Sequence, residues 1–224
     1  MSASIPAAVG YVPFDGRPHG THAKLLELVP PGATVLDAGC SSGYLAEPLA
    51  ARGCRVTGLE VDPAAARAAE RWCERVIVGD VERMDLPLEP ATFDAILCGD
   101  VVEHLRDPQA ALARLRPFLR PGGRLVLSTP NVANWAIRLS LLLGRFEYTD
   151  RGLLDRTHTH LFTRRSLLDC VRRAGYCPTV VDFTAPLPPA VRSDRTEAVA
   201  HRIGRLRPTL FAYQWVVAAE PDGE

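Results

Sequence analysis

The run Val35-Leu36-Asp37-Ala38-Gly39-Cys40-Ser41-Ser42-Gly43 constrains this chain most, because it carries an apolar strand straight into a glycine-bearing loop that opens a helix. Glycines at such a junction let the backbone turn sharply and let a ligand approach the main chain with no Cβ in the way. The segments around it repeat the same rhythm. Apolar patterning predicts strands at Ala33 to Asp37, Arg55 to Glu60, Arg75 to Val78, Phe93 to Cys98 and Arg124 to Ser128. Between them lie helical stretches at Tyr44 to Arg52, Pro63 to Cys73 and Pro108 to Leu119, the last closed by a Pro121-Gly122-Gly123 turn. A short helix at His22 to Leu28 precedes the series, after a leader punctuated by glycine and proline.

Strands that alternate with helices pair in parallel through right-handed crossovers, so the expected fold is α/β, a Rossmann-like doubly wound sheet. Past Pro130 the pattern loosens into a helix at Asn134 to Leu143, a long loop from Gly144 to Thr163 and a helix at Arg164 to Ala174 stopped by Gly175. Strands at Tyr176 to Phe183 and Leu210 to Ala218, around a proline-rich stretch from Pro186 to Asp194 and a helix near Glu197 to Leu206, predict a late antiparallel hairpin on an otherwise parallel sheet. No repeat or composition shift divides the 224 residues, so residues 1–224 are expected to form one domain with a substrate-covering insertion around 131–163.

Charge narrows the partner. The 26 basic and 26 acidic side chains cancel, which leaves no global field to draw nucleic acid or an anionic membrane and favours a small molecule. The six cysteines never approach a CxxC spacing and are read as reduced and structural. With no basic leader followed by a long apolar stretch, and no membrane-length run, the chain is expected to be soluble and cytoplasmic. The oligomeric state is open, a homodimer included.

The loop also says which cofactor. A dinucleotide site wants G-x-G-x-x-G so that pyrophosphate rests on exposed amides. Here Ser41 replaces the middle glycine, and Asp37 sets at the strand end a carboxylate that repels an anion and attracts an ammonium or sulfonium. Glu60 closes the second strand where a carboxylate accepts both hydroxyls of a ribose, and Asp80 follows the third strand within reach of an adenine amino group. An adenosine joined to a cationic amino acid fits this set, and S-adenosylmethionine is such a molecule.

The ordered motifs resemble those of the class I S-adenosylmethionine-dependent methyltransferases, in particular the ubiquinone-biosynthesis O-methyltransferase-like branch (methyltransferase type 11/23). They are Leu36 to Gly43, Gly58-Leu59-Glu60-Val61-Asp62, Gly79-Asp80-Val81, Phe93-Asp94-Ala95-Ile96, Val102-Glu103-His104-Leu105 with Asp107-Pro108, and Leu119-Arg120-Pro121-Gly122-Gly123. The resemblance covers residues 20–183 and implies that Gly39 and Gly43, with Cys40 in the same loop, line the methionine end. It further implies that Glu60, with Val61 beside it, meets the ribose, Asp80 with Val81 the adenine, and Gly99 the floor. S-adenosylhomocysteine is the implied product.

Methyl transfer is an in-line displacement, so a hydroxyl acceptor needs alignment and a base of near-neutral pKa. His104, after the fourth strand, stands where open α/β sheets keep their ligands. His158 lies in Asp155-Arg156-Thr157-His158, followed by Phe162-Thr163, which resembles a D-x-T-H-x-x-x-F-T segment that folds over the acceptor in small-molecule methyltransferases. His158 is the leading acceptor-side candidate, either as base or as a loop-pinning group; His160 reads as structural. Asp100, Glu103 and His104 share one face if helical, and E-x-x-E-H holds a divalent ion in some relatives; the shorter Asp100 favours a site without metal.

Trp135, Leu139 to Leu143, Phe146 and Tyr148 offer an apolar or aromatic wall, and Arg138, Arg145, Arg151 and Arg156 an anion-binding or a solvated face. The expected activity is methyl transfer to an oxygen (phenol, hydroxyl or sugar) of a small molecule. A nitrogen or carbon acceptor is the alternative. Ser128 to Asn131 with Trp135, Arg138 and Gly144-Arg145 also resembles a methionine-biosynthesis accessory protein that partners an acyltransferase, a non-catalytic reading.

Overall fold

The computed structural model describes residues 14–186 and 193–223; most of the leader and of the proline-rich stretch expected at Pro186 to Asp194 lies outside them. Seven strands make one sheet in the order β3-β2-β1-β4-β5-β7-β6, formed by β1 (Thr34–Ala38), β2 (Arg55–Glu60), β3 (Arg75–Val78), β4 (Phe93–Gly99), β5 (Leu119–Pro130), β6 (Tyr176–Thr184) and β7 (Gln214–Pro221). The first five pair in parallel, and β7 runs antiparallel to both β5 and β6. Strand order reverses between β1 and β4, which opens a crevice above their carboxyl ends.

Strand alternation splits the core between two faces. Val35, Leu97, Val126 and Val216 pack under α1 (Thr21–Leu28), α2 (Ala46–Ala51) and α3 (Pro63–Ala69). Their neighbours Leu36, Ile96, Leu125 and Val217 pack with α4 (Pro108–Leu115) and α6 (Arg164–Arg173) on the other. Side chains set several helix starts: Asp62 caps Ala64 ahead of Pro63, Asp107 caps Ala110 ahead of Pro108, Asn134 caps α5 (Trp135–Leu142), and Thr163 forms a capping box with Ser166. No helix of the described residues is long and apolar enough to cross a membrane.

Four expectations change. The Pro121-Gly122-Gly123 segment is part of β5, because Gly122 takes φ +77° and a register shift between Phe93 and Ala95 absorbs the irregularity. α4 stops at Leu115, four residues short of the expected end, where Pro117 lacks the amide an α-helix needs and Arg116–Phe118 form a 3-10 turn. The last strand starts at Gln214 rather than Leu210, since Pro208 opens a further short helix, α8 (Pro208–Phe211). With α7 (Asp194–Gly204) and α8 between them, β6 and β7 are sheet neighbours and not a tight hairpin.

Candidate active site

The loop after β1 is held entirely by its own protein. Gly39 and Cys40 both donate their amides to the Leu59 carbonyl, at 2.7 and 3.1 Å, and Ser41 donates to Glu60 Oε2 at 2.8 Å. No row of free amides is left for a pyrophosphate, which is the physical difference from a dinucleotide loop. Ser41 adopts φ +50°, the left-handed conformation a glycine would supply, so the departure in sequence costs strain and keeps the turn. Gly39, at φ +84°, could not be larger: a Cβ there would sit 2.5 Å from Val101 Cγ2. The Cys40 side chain is buried beside Gly58 and Cys73, so it packs the loop and faces no ligand.

Two carboxylates frame this loop. Glu60 is clamped, its Oε1 accepting from the Asp62 amide at 3.0 Å while Oε2 holds Ser41. Asp37 is 1% exposed, its Oδ2 has no hydrogen-bond partner, and burial together with the Glu60 charge pushes its pKa up to about 7. Beyond Glu60, Val61 stands 66% exposed, and Asp80 Oδ1 accepts from the Glu82 amide at 2.8 Å with Val81 half-buried beside it. Gly99 closes the floor, where a Cβ would crowd Leu45 and Leu25 at 3.1 and 3.2 Å.

A cavity of about 900 Å³ opens from this floor and is lined by Gly39, Ser41, Gly99, His104 and His158 among others. The two histidine rings meet edge to face at 4.9 Å. Burial, then the neighbouring His104, hold the His158 pKa below its usual value, which leaves a neutral imidazole at pH 7. The long loop delivering His158 is pinned to the segment after β4. Thr159 and His160 donate their amides to the Glu103 carbonyl at 2.8 and 3.0 Å, and the Thr159 hydroxyl donates to the Leu105 carbonyl at 2.6 Å. His160 Nδ1 lies 3.0 Å from the same Leu105 carbonyl, so His160 is structural, as expected.

The acidic pattern after β4 is rearranged. Only Val102–His104 form a turn of 3-10 helix, and Asp100, at φ +53°, points to Gln214 Nε2 (2.8 Å) and the Ser128 hydroxyl (2.7 Å). The groups that could share an ion are instead Glu103, His104 and His158, whose ligand atoms lie within 4.8 Å of one another. Glu103 is 1% exposed with neither oxygen hydrogen-bonded; burial, then Asp100, raises its pKa well above the carboxylate range.

The expected aromatic wall is elsewhere: Trp135, Phe146 and Tyr148 are 51%, 41% and 51% exposed and do not line the cavity, nor do Leu139 to Leu143. Of the arginines, Arg138 is spent on the carbonyls of Ala133 and Thr209, Arg145 stays outside, and Arg151 and Arg156 line the cavity, Arg156 paired with Asp150 at 2.9 Å. The remaining wall comes from residues that no sequence motif marked. They include Arg17, His22, Tyr44, Thr184, Glu197 and Gln214, brought together from the N-terminal segment, α2's approach, β6, α7 and β7.

The family described as methyltransferase domain matches residues 16–179. The chain is 37% identical over 134 residues to a ubiquinone biosynthesis O-methyltransferase of Xylella fastidiosa, covering 58% of this chain and 54% of that protein. It is 33% identical over 152 residues to the Acinetobacter baylyi protein of the same name, with 64% and 63% covered. The match thus spans only part of these relatives. Among solved structures, a SAM-dependent methyltransferase from Archaeoglobus fulgidus aligns with TM-score 0.63 at 18% identity over 89% of this chain and 92% of that one. A chain from the complex between the Haloferax volcanii Trm112 methyltransferase activator and a methyltransferase aligns with TM-score 0.63 at 20% identity, over 92% and 91%. The chain belongs to the class I S-adenosylmethionine-dependent methyltransferases, within the methyltransferase-domain family.

Proposed function

We propose that this chain transfers the methyl group of S-adenosylmethionine to an oxygen of a small molecule, with His158 taking the hydroxyl proton. The observation that carries the reading is the meeting of the Gly39–Ser41 loop and the His104–His158 pair on one cavity. The donor fits its loop: the unpartnered, buried Asp37 oxygen suits a cation, and Glu60 is already aimed by two amides and keeps lone pairs for ribose hydroxyls. Val61, Asp80 and Val81 are the groups assigned to the adenosine end; Gly39 and Gly99 line the cavity at the methionine end, while Gly43 lets the loop pack closely on Ala69 and Trp72. Bound S-adenosylmethionine supplies a methyl group on a sulfonium. The protein then holds the acceptor in line, keeps His158 neutral and receives the proton there, with His104 orienting the ring.

The Asp150–His158 stretch is the part of the 131–163 insertion that covers the acceptor. The working setting is cytoplasmic, on a small molecule rather than nucleic acid. Labelled methyl transfer onto hydroxylated acceptors tests this: His158→Ala should lower turnover by roughly a hundredfold or more while the cofactor still binds. Lost cofactor binding with the variant would make His158 structural.

A second reading rests on the Glu103, His104 and His158 cluster, which has the donor set of a divalent-ion site. The residues fit an ion, which would orient an acceptor oxygen. Turnover that survives chelation would remove that reading; turnover lost to chelation and restored by an added divalent ion would establish it.

A further inference from the structure

The wall of the cavity describes its guest. Among the described residues lining it there is no Val, Leu, Ile, Met, Phe or Trp; the apolar contribution is the rings of Tyr44 and Tyr213, with Pro130, Ala185, Pro186 and the glycines. A prenyl tail would meet no branched aliphatic side chain among these described residues, whereas sites for such tails are walled by them; the two tyrosines present flat rings that also suit the face of a sugar. Hydrogen-bonding groups stand in their place around the whole circumference, from Asp100 and Glu103 to Thr184 and Gln214.

Several of these groups are unsatisfied. Glu103, 1% exposed, has both carboxylate oxygens without a hydrogen bond, and Thr184, 3% exposed, has its hydroxyl without one. His158 Nδ1 is likewise buried and unpartnered. Buried polar atoms are costly unless a partner meets them, so a wall with three such residues calls for a ligand whose groups both donate and accept, as hydroxyls do. Other groups are fixed in place as ready acceptors. Asp100 is held by Ser128 and by Gln214, which in turn accepts from Thr21. Arg151 has no ion-pair partner among the described residues and stands at the same cavity.

We infer that the acceptor is a carbohydrate-like molecule bearing neighbouring hydroxyls, recognised by Asp100, Glu103, Thr184 and Gln214, and methylated on one of those hydroxyls beside His158. This rests on the methyl-transfer reading above and narrows it. In the reaction the hydroxyl oxygen bonds to the methyl carbon as the carbon–sulfur bond breaks. Sulfur keeps the electron pair as the neutral thioether of S-adenosylhomocysteine, and the hydroxyl proton passes to the His158 imidazole.

The test is labelled methyl transfer from S-adenosylmethionine to four probes: methyl α-glucoside, UDP-glucose, catechol and 3-prenylcatechol. Direct binding of each to the protein loaded with S-adenosylhomocysteine is measured alongside. Transfer to either sugar, at least a hundredfold faster than to either catechol, is the expected result. The two sugar arms separate a free glycoside from a nucleotide-linked one. Transfer to 3-prenylcatechol but to neither sugar would overturn the inference and leave methyl transfer standing. Failure of both sugars to bind or react would overturn it too. Failure of S-adenosylmethionine itself to bind would instead overturn the proposed function. Thr184→Val, which keeps the shape and removes the hydroxyl, should raise the sugar KM roughly tenfold with kcat and cofactor affinity unchanged; an unchanged KM would take Thr184 out of recognition.

Discussion

The proposed donor and acceptor halves of the site are built by opposite means. The donor half is contiguous: Asp37, Gly39, Glu60 and Asp80 follow one another along β1, β2 and β3, and the parallel register that pairs Asp37 with Gly58 also brings Glu60 to the Ser41 amide. The acceptor half is assembled from afar. Gln214 reaches Asp100, Arg17 reaches Glu197, and the loop carrying His158 is tied to Glu103 and Leu105 by hydrogen bonds across more than fifty residues. A site set by local strand order holds its geometry as part of the sheet, whereas one stitched from separate segments can change its guest by altering loops while the sheet stays put.

The sharpest way to break this contrast is to damage the donor half alone. Gly39→Val would force a branched side chain into a left-handed position and against Val101. Cofactor affinity should fall more than a hundredfold, read as loss of the thermal shift with S-adenosylhomocysteine, with circular dichroism confirming the fold. A variant that still binds the cofactor would mean that the loop is not the donor site.

A smaller effect separates Asp37 from its neighbours. Its folded pKa of about 7 lies above the ordinary aspartate value of 3.8, so the native state holds more protons, and stability falls as pH rises through that window. Asp37→Asn removes this loss: its advantage in urea unfolding without cofactor should be negligible near pH 4 and grow to the order of a few kcal/mol by pH 8. An advantage independent of pH would contradict the buried, unpaired carboxylate.

The smallest effect belongs to the acceptor half. Thr159→Val deletes the hydroxyl that ties the His158 loop to Leu105. Acceptor kcat/KM should drop roughly tenfold, as expected for one hydrogen bond of about 1.4 kcal/mol, with cofactor affinity unchanged.

What the sequence made legible follows the same division. The strand-loop-helix run at Val35 to Gly43, the carboxylate at Glu60 and the βα alternation are written in neighbouring residues, so the turn after β1, the strand ends and the parallel sheet were readable. Period-two patterning does not reveal which face or edge a distant segment reaches. Gln214, Thr184 and Arg17 therefore carried no signal, although they line the cavity. The aromatic residues Trp135, Phe146 and Tyr148 carried a false one, since apolarity alone does not distinguish a ligand wall from an exposed surface. Helical spacing misplaced Asp100 for a related reason: its left-handed backbone breaks the helix that would have set it beside Glu103, and His158 takes that place from another part of the chain. The strand limits moved at Pro121 to Gly123 because the pairing skips from Leu119 to Arg124 on β5 while β4 advances only from Phe93 to Ala95, a register shift that apolar patterning does not reveal.

The most direct measurement is a calorimetric titration of the protein with S-adenosylmethionine at pH 6 and pH 8. A cation beside Asp37 favours its ionised form, so binding should be tighter at pH 8 and should release a proton to the buffer at pH 6. Absence of binding at both pH values, or an affinity that does not change between them, would contradict a sulfonium donor held beside that carboxylate.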